Sequence, residues 1–475
     1  VPPQALAPPD RFLQTIQALG ALAASVLLAL ALRPDAYIYD MPLTEDGYYA
    51  LSVARNIAAG KGITIDGTNL TNGFQPLFTL VEALAFRIAG ADERLAIRLV
   101  LAFAWVFHVL GAALAGLIAR DAWPISGGPA SGANERARRL WLGVFLYLAS
   151  PLMMNHAYNG LETGSVLFFY LAVWRMVQTG AERSWTGLAA LGALVGLMVL
   201  ARIDAGFLAL ALGLNELRRR AASGVWRMLG RGAVLGGVAL AVSAPWWAYN
   251  LVYFGSALPT SGAAQQDWAL EGARFAEALW ALRLVALPWL FAGGFEPVGS
   301  FAVPWPLAGD LRVSLSPIDL ARTALLGFAA ALGVRAWRDG LFHRELAAAR
   351  PEEILRARRT LEFAALAGLA FAALALYYTL SFVASWFYYR YFAPVTLLAV
   401  VGAAVWWARA SVAGVGAPRL AHGGLVHLAL AFTLTLQIAG LGALAQVGRG
   451  LGGSTVHHDQ VALVRAHVPE AARVA

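Results

Sequence analysis

Two adjacent carboxylates, Glu45 and Asp46, follow the first long apolar stretch of the chain. A carboxylate held against a hydroxyl can act as a general base, and a nearby cation can stabilise an anionic leaving group. Further polar residues lie in the same segment and in four later ones between apolar stretches: Lys61, Asn72, Gln75, Asn159, Glu162, Arg202, Asp204, Thr260, Gln265, Tyr388, Tyr389 and Arg390. Carboxylates and arginines converging from separate segments would suit a base beside an anionic leaving group.

Several of these residues also have a structural interpretation. Glu45 can be an acid in the first turn of a helix, where the helix dipole favours negative charge. Arg202 and Asp204 can pair with each other, and Arg390 can anchor the chain at a membrane interface. Ionisable groups at a membrane border are costly unless they pair, reach lipid headgroups or serve a site. The sequence has no HExxH or Walker motif, so no metal-binding residue is predicted.

The composition points to a membrane protein. Of the 475 residues 59% are hydrophobic and 13% charged, about half the charged fraction of an ordinary soluble domain. The apolar stretches are continuous rather than alternating, which excludes a transmembrane β-barrel. The net charge of +8 comes from arginines between apolar stretches, so it indicates membrane topology and anionic lipids rather than nucleic acid. The chain has no cysteine, which excludes disulfides and thiol catalysis.

The elements that must position these residues are membrane helices. We predict an all-α polytopic membrane protein with about 11 transmembrane helices. The predicted spans are 15–32, 96–118, 140–155, 164–177, 186–200, 205–214, 232–252, 318–337, 361–382, 391–408 and 423–445. The first span is expected to be uncleaved, with the N-terminus in the cytoplasm. The polar segments then face the outer side of the membrane.

The predicted transmembrane domain covers residues 1–446, and 447–475 would form an outer tail, the stub of an outer domain. Its first outer loop, 33–95, contains two predicted juxtamembrane helices. One begins at Glu45 and ends near Gly60, a C-cap glycine. The other, 76–89, is about 21 Å long, too short to cross the membrane, so we expect it to lie at the interface. The long outer loop, 253–317, is expected to form amphipathic interfacial helices.

Seven short motifs occur in an order that resembles bacterial membrane glycosyltransferases of the GT-C superfamily, which include arabinofuranosyltransferases, protein O-mannosyltransferases and lipid A aminoarabinose transferases. The motifs lie at 45–49, 54–62, 71–77, 159–163, 201–206, 253–260 and 386–390. The resemblance covers most of the chain. It departs from the family pattern at Glu45, where relatives often have Asp, and near Thr260 and Gln265, where the usual Asn and Lys are absent.

The resemblance implies an inverting transfer of a sugar from a polyprenyl-phosphate donor to a lipid, polysaccharide or protein acceptor. The enzyme would be multi-pass in the bacterial inner membrane, with a periplasmic active site. Glu45 takes the position of the catalytic base, and Asp46 would orient it or help hold a divalent cation, Mg²⁺ or Mn²⁺. Because relatives often have Asp at position 45, the resemblance leaves either Glu45 or Asp46 as the base. The predicted phosphate-binding cations are Arg202, Arg390 and Lys61. The predicted substrate-binding residues are Tyr48, Tyr49, Asn72, Gln75, Glu162, Asp204 and Tyr389.

Two other functions are compatible with a polytopic chain. A secondary transporter or lipid flippase would place charges in mid-membrane on broken helices and often has inverted repeats. The ionisable groups of this chain lie mainly at one face, and no repeat is apparent. A catalytically silent relative that assembles into another membrane complex is the third interpretation, favoured by the departures near Thr260.

Overall fold

The structure is a computed structural model that describes residues 10–34, 38, 43–125, 129–150, 153, 157–220, 224–260, 262, 300–305, 309–314, 349–381, 388–391 and 393–412. The described part is mostly helical. Its α-helices are α1 (Arg11–Ala31), α2 (Glu45–Ala58), α3 (Pro76–Ala89), α4 (Glu93–Asp121), α5 (Pro129–Leu148), α6 (Thr163–Thr179), α7 (Trp185–Ala201), α8 (Gly206–Arg220), α9 (Val225–Phe254), α10 (Pro351–Ser381), α11 (Tyr388–Tyr391) and α12 (Val395–Val412). Short 3₁₀ turns at Ala181–Arg183 and Ile203–Ala205 precede α7 and α8.

The two helices predicted in the first outer loop are confirmed as helices. Thr44 is the N-cap of α2, and Glu45 and Asp46 lie in its first turn, where negative charge is favourable. Pro76 occupies the first turn of α3, which suits its fixed φ and missing N–H, and Gly90 ends that helix with φ +64°. Placement of α3 at the membrane interface stays a prediction.

The long helices make a multi-pass membrane bundle. Four described helices have the length and hydropathy to cross a membrane: Arg11–Ala29, Glu93–Asp121, Val225–Phe254 and Pro351–Tyr378. Large apolar side chains such as Leu22, Leu240 and Leu369 are exposed on these helices, as expected where lipid covers the surface. The predicted count of about 11 spans is not confirmed. The predicted spans 318–337 and 423–445, and the tail 447–475, lie outside the described residues.

The bundle is built on helix pairs with small residues at their contacts. Helix α4 packs on α5 and α6, α12 packs on α5, and α7 packs on α9. Along α7, Gly192 and Gly196 face the backbone carbonyls of Leu235 and Ala239 in α9. A Cβ at either glycine would lie within 2.8 Å of those oxygens. Such small residues let two membrane helices approach closely, so α7 and α9 form a fixed pair.

One end of the bundle is held by ion pairs. Arg139 and Arg231, both buried, contact Glu135 and Glu216, and Arg219 contacts Glu362. The helix directions place these pairs together, because they come from the start of α5, α9 and α10 and from the end of α8. Because successive helices run in alternating directions, the segments carrying Glu162, Arg202 and Tyr378 lie at the opposite end of the bundle.

A short hairpin corrects the all-α prediction. Strands β1 (Ser300–Trp305) and β2 (Gly309–Ser314) pair antiparallel, with Phe301 opposite Val313. This pairing replaces part of the amphipathic helical structure expected for the 253–317 loop. The signal for a strand is the period-two alternation in β2, where Leu311 and Val313 alternate with Asp310, Arg312 and Ser314.

Helix α2 is fixed to the loop before α6 by a close backbone contact. Thr44 donates from its backbone N and its Oγ1 to the carbonyl of Asn159, both at 3.1 Å. A Cβ at Gly47 would lie 2.5 Å from the same carbonyl and 3.2 Å from the Cα of Gly160. Gly160 itself has φ +78°, a conformation that suits glycine. The glycines in the motifs at 45–49 and 159–163 therefore allow the two segments to touch.

Gly47→Ala is expected to destabilise the protein by about 1–3 kcal/mol, because the new methyl group meets a carbonyl oxygen that cannot move independently. The midpoint of thermal unfolding in detergent measures this effect. Gly213→Ala is the matched control, since nothing lies within 4 Å of a Cβ at that position in α8. Equal unfolding midpoints for the two variants would show that α2 does not approach the loop this closely.

Candidate functional site

A cavity of about 460 Å³ opens at the end of the bundle away from the ion pairs. It is lined by α2, the segment before α3, the loop before α6, the 202–207 turn, the segment after α9, the end of α10, and α11. Its polar lining residues are Asp46, Tyr49, Thr71, Gln75, Thr79, Glu162, Arg202, Asp204, Tyr377, Tyr378, Arg390 and Tyr391. Six of the seven motifs contribute at least one lining residue. They are the motifs at 45–49, 71–77, 159–163, 201–206, 253–260 and 386–390.

Asp46, rather than Glu45, faces the cavity. Asp46 Oδ2 accepts a hydrogen bond from Arg390 Nη1 at 2.9 Å, and both residues line the cavity. The carboxylate is partly accessible, since 45% of the Asp46 side chain and 18% of the Arg390 side chain are exposed. Glu45 is exposed and lies outside the lining, where Tyr49 Oη donates to its Oε1 at 3.4 Å. Of the two predicted catalytic residues, the structure thus brings Asp46 to the lining of this cavity and leaves Glu45 outside it.

Arg202 is held by two carboxylates in a buried network. Its Nε contacts both carboxylate oxygens of Asp204 at 2.9 Å, and its Nη1 donates to Glu162 Oε1 at 3.0 Å. Only 3% of the Arg202 side chain is exposed. Its guanidinium lies 4.0 Å from the ring centroid of Tyr391, and Tyr378 Oη donates to Asp204 Oδ2. Arg202 and Asp204 therefore pair with each other, and Glu162 joins them.

The pKa values of Arg202, Arg390 and Asp204 depend on burial and on the neighbouring charges. Burial alone would lower the pKa of Arg202, but the carboxylates of Asp204 and Glu162 raise it. Burial likewise works against the charge of Arg390, and the carboxylates of Glu162 and Asp46 help to raise its pKa. Burial raises the pKa of Asp204, and Arg202 offsets that rise only in part. Both arginines therefore stay charged across the physiological pH range.

The ionisable lining consists of three carboxylates and two guanidinium groups. With all five ionised, the lining carries a formal charge of −1. The part of the chain that the structure describes contains no group of three His, Cys, Asp or Glu side chains that could hold a metal ion. Two of the three carboxylates are committed to Arg202. Among the described lining residues, Asp46 is therefore the carboxylate that is not paired with Arg202.

The other predicted substrate-binding and phosphate-binding residues differ in their position relative to the cavity. Tyr49 and Gln75 line the cavity, and Gln75 Oε1 accepts a hydrogen bond from the backbone N of Ile203 at 3.2 Å. Lys61 is exposed and lies outside the lining, as does Tyr48, which packs on the core. Tyr389 belongs to α11, but its side chain lies outside the described part of the structure.

Asn72 does not line the cavity; it is buried and joins separate segments by hydrogen bonds. Its Nδ2 donates to Asn250 Oδ1 at 3.2 Å, and its Oδ1 accepts from the backbone N and the Oγ1 of Thr260. Asn250 Nδ2 in turn donates to the carbonyl of Ala257. These contacts tie the first outer loop to the end of α9 and to the segment that follows it. Asn72 and Thr260, which the sequence analysis noted separately, are therefore direct partners.

Sequence reasoning missed Glu82. This residue of α3 is fully buried, and within the described residues neither of its carboxyl oxygens has a hydrogen-bond partner. Burial, with the Glu162 carboxylate nearby, raises the pKa of Glu82 well above its ordinary value of 4.5. The available signal was a single acid inside an apolar 14-residue helix. Because an ionised carboxylate without a partner is costly to bury, Glu82 is neutral in the folded protein.

Glu82→Gln is expected to stabilise the protein increasingly as the pH rises above about 4.5. The folded wild type keeps the Glu82 proton while the unfolded chain loses it, so wild-type stability falls as pH rises toward the folded pKa. The stability gained by the variant should grow by up to about 1.4 kcal/mol per pH unit. Unfolding midpoints between pH 5 and 8 measure it, with Glu93→Gln at an exposed site as the control. A pH-independent difference would mean that Glu82 is ionised in the fold.

No family model matches the chain, and no curated protein does. Among solved structures, the chain is similar to ArnT from Cupriavidus metallidurans bound to undecaprenyl phosphate, with 17% identity and a TM-score of 0.47 over 90% of this chain and 72% of that one. It is also similar to the archaeal oligosaccharyltransferase AglB from Archaeoglobus fulgidus, in complex with an inhibitory peptide and a dolichol-phosphate. That match has 13% identity and a TM-score of 0.41 over 96% of this chain and 58% of that one.

Since both TM-scores are below 0.5, the function proposed below rests on the residues of the cavity.

Proposed function

We propose that the chain is an inverting membrane glycosyltransferase that moves a sugar from a polyprenyl-phosphate donor to an acceptor hydroxyl. The observation that carries this proposal is the Asp46–Arg390 pair in a cavity at one end of a membrane bundle. The pair combines a partly accessible carboxylate with an arginine, which are the groups that base-assisted attack and phosphate departure require.

In the proposed reaction Asp46 is the general base. It takes the proton of the acceptor hydroxyl while that oxygen attacks the anomeric carbon of the sugar from the face opposite the phosphate. The bond from the anomeric carbon to the phosphate oxygen breaks, and the polyprenyl phosphate leaves with that electron pair. Arg390 contacts the departing phosphate and stabilises its growing negative charge. Glu45, exposed beside the cavity, has no part in the transfer.

The Arg202 network has a positioning role in this proposal. Arg202 is bound by two buried carboxylates, Asp204 and Glu162, whereas Arg390 contacts the partly exposed Asp46, so we assign the phosphate to Arg390. Glu162 and Asp204, held rigidly by Arg202, present carboxylate oxygens at the cavity surface that can accept hydrogen bonds from sugar hydroxyls. Gln75 and Tyr49 complete the polar lining on the α2 and α3 side.

The proposed setting is the bacterial inner membrane, with the N-terminus in the cytoplasm and the cavity at the periplasmic face. Two features support that orientation. The opposite end of the bundle carries the arginine-rich ends of α5, α8 and α10, as the positive-inside rule requires for the cytoplasmic side. A cavity at headgroup depth would also admit the phosphate of a lipid whose tail stays in the bilayer.

The experiment that tests the proposal is a transfer assay with the purified chain in lipid nanodiscs. Polyprenyl-phosphate sugars are supplied with lipid, polysaccharide and peptide acceptors, and product is followed by mass spectrometry. We expect transfer with inverted anomeric configuration for at least one pair. Substrate-dependent flux in proteoliposomes without transfer would favour a transporter. Stoichiometric co-purification with another membrane protein, without transfer or flux, would favour a silent subunit.

A further inference from the structure

The Asp46–Arg390 ion pair joins two segments that are 344 residues apart in sequence. The proposed function, on which this inference rests, gives each member of the pair another task. Asp46 must accept a proton from the acceptor, and Arg390 must contact the donor phosphate. The Asp46–Arg390 contact and these two tasks therefore compete for the same groups.

The electrostatics of the cavity limit how a phosphate can enter. The lining already carries a formal charge of −1, and Arg202 is committed to Glu162 and Asp204. A phosphate brings at least one further negative charge and binds a guanidinium bidentately. Arg390, whose Nη1 contacts Asp46, is the lining cation at which that charge can be compensated.

We propose that Asp46 and the donor phosphate exchange at Arg390. In the structure Arg390 holds Asp46, and when the donor binds, Arg390 turns to the phosphate and releases the Asp46 carboxylate for the acceptor hydroxyl. The donor then binds before the acceptor is activated. Arg390 thereby couples occupation of the donor site to the release of Asp46.

Binding of undecaprenyl phosphate to the purified full chain tests the exchange. Asp46→Asn removes a negative charge that competes with phosphate for Arg390, so this variant should bind the lipid phosphate about tenfold more tightly than the wild type, as expected for a partly exposed ion pair. Glu45→Gln, which removes the same charge one residue away outside the lining, should leave the affinity unchanged. A second variant, Asp46→Ser, repeats the comparison with a smaller neutral side chain.

A double-mutant cycle separates the exchange from simple repulsion between Asp46 and phosphate. In an Arg390→Gln background, the exchange predicts that Asp46→Asn no longer tightens binding. A gain that persists in that background, or an Asp46→Asn variant that binds no better than the wild type, overturns the exchange and leaves the proposed function standing. Absence of binding by the folded wild type would instead overturn the proposed function together with the exchange.

Discussion

The Asp46→Asn variant is expected to transfer sugar about 10²- to 10⁴-fold more slowly than the wild type, with its unfolding midpoint nearly unchanged. The amide keeps the size of the carboxylate and can still accept a hydrogen bond from Arg390, but it cannot take the acceptor proton. Single-turnover rates with a saturating lipid-linked donor measure the loss, because they report the chemical step rather than product release.

Glu45→Gln is the matched control for that experiment. It removes an exposed carboxylate from the same helical turn, and its transfer rate should stay close to the wild-type rate. The reverse pattern, a slow Glu45→Gln and an active Asp46→Asn, would return the base to Glu45, where the family resemblance placed it.

The Arg202→Gln variant is expected to lose about 3–5 kcal/mol of stability, because it leaves two buried carboxylates without their cation. Of the Glu162 and Asp204 side chains only 7% and 11% are exposed, so water cannot replace the guanidinium. The Tyr391 ring would also lose the guanidinium that lies over it. Thermal unfolding in detergent measures the effect.

Two further variants sharpen the Arg202 experiment. Arg87→Gln, at an exposed position on α3, should unfold like the wild type. Arg202→Lys should recover part of the stability, since the ammonium keeps the charge but cannot contact Asp204 and Glu162 in the same geometry. If Arg202→Gln unfolds at the wild-type midpoint and binds undecaprenyl phosphate poorly, Arg202 is a phosphate ligand, as the sequence analysis predicted.

The helices next to the site could be predicted because their signals are local. Thr44 with two acids after it marks the start of α2, and Pro76 and Gly90 bracket α3. The hairpin formed by β1 and β2 departs from the interfacial helices expected for 253–317, although Leu311 and Val313 alternate with polar residues in β2.

The division of roles between Glu45 and Asp46 could not be predicted from the sequence. Neighbouring residues on a helix point about 100° apart, so one of the two can line a cavity while the other lies outside it. Which one does so depends on how α2 is rotated, and the contact of Gly47 with Asn159 and Gly160 sets that rotation. That contact spans more than a hundred residues, and no local pattern reports it.

The contacts of Arg202 could be predicted from the sequence only in part. The Arg202–Asp204 pair is two residues apart and was among the interpretations that the sequence supported. Glu162, the third member, is 40 residues away, and Tyr391 comes from the far end of the described chain. Their convergence required the helix directions, which determine the end of the bundle to which each segment returns.

The spread of the lining along the chain has a consequence for biosynthesis. The chain is synthesised from Asp46 through Arg202 to Arg390. Asp46 therefore has no Arg390 to pair with until most of the chain has been made. During that interval Arg202 can be neutralised by Glu162 and Asp204, both of which are inserted close to it in time. The counterions of Arg202 are therefore encoded close to it in sequence, and the cavity is completed only when the segment bearing Arg390 and Tyr391 has been synthesised.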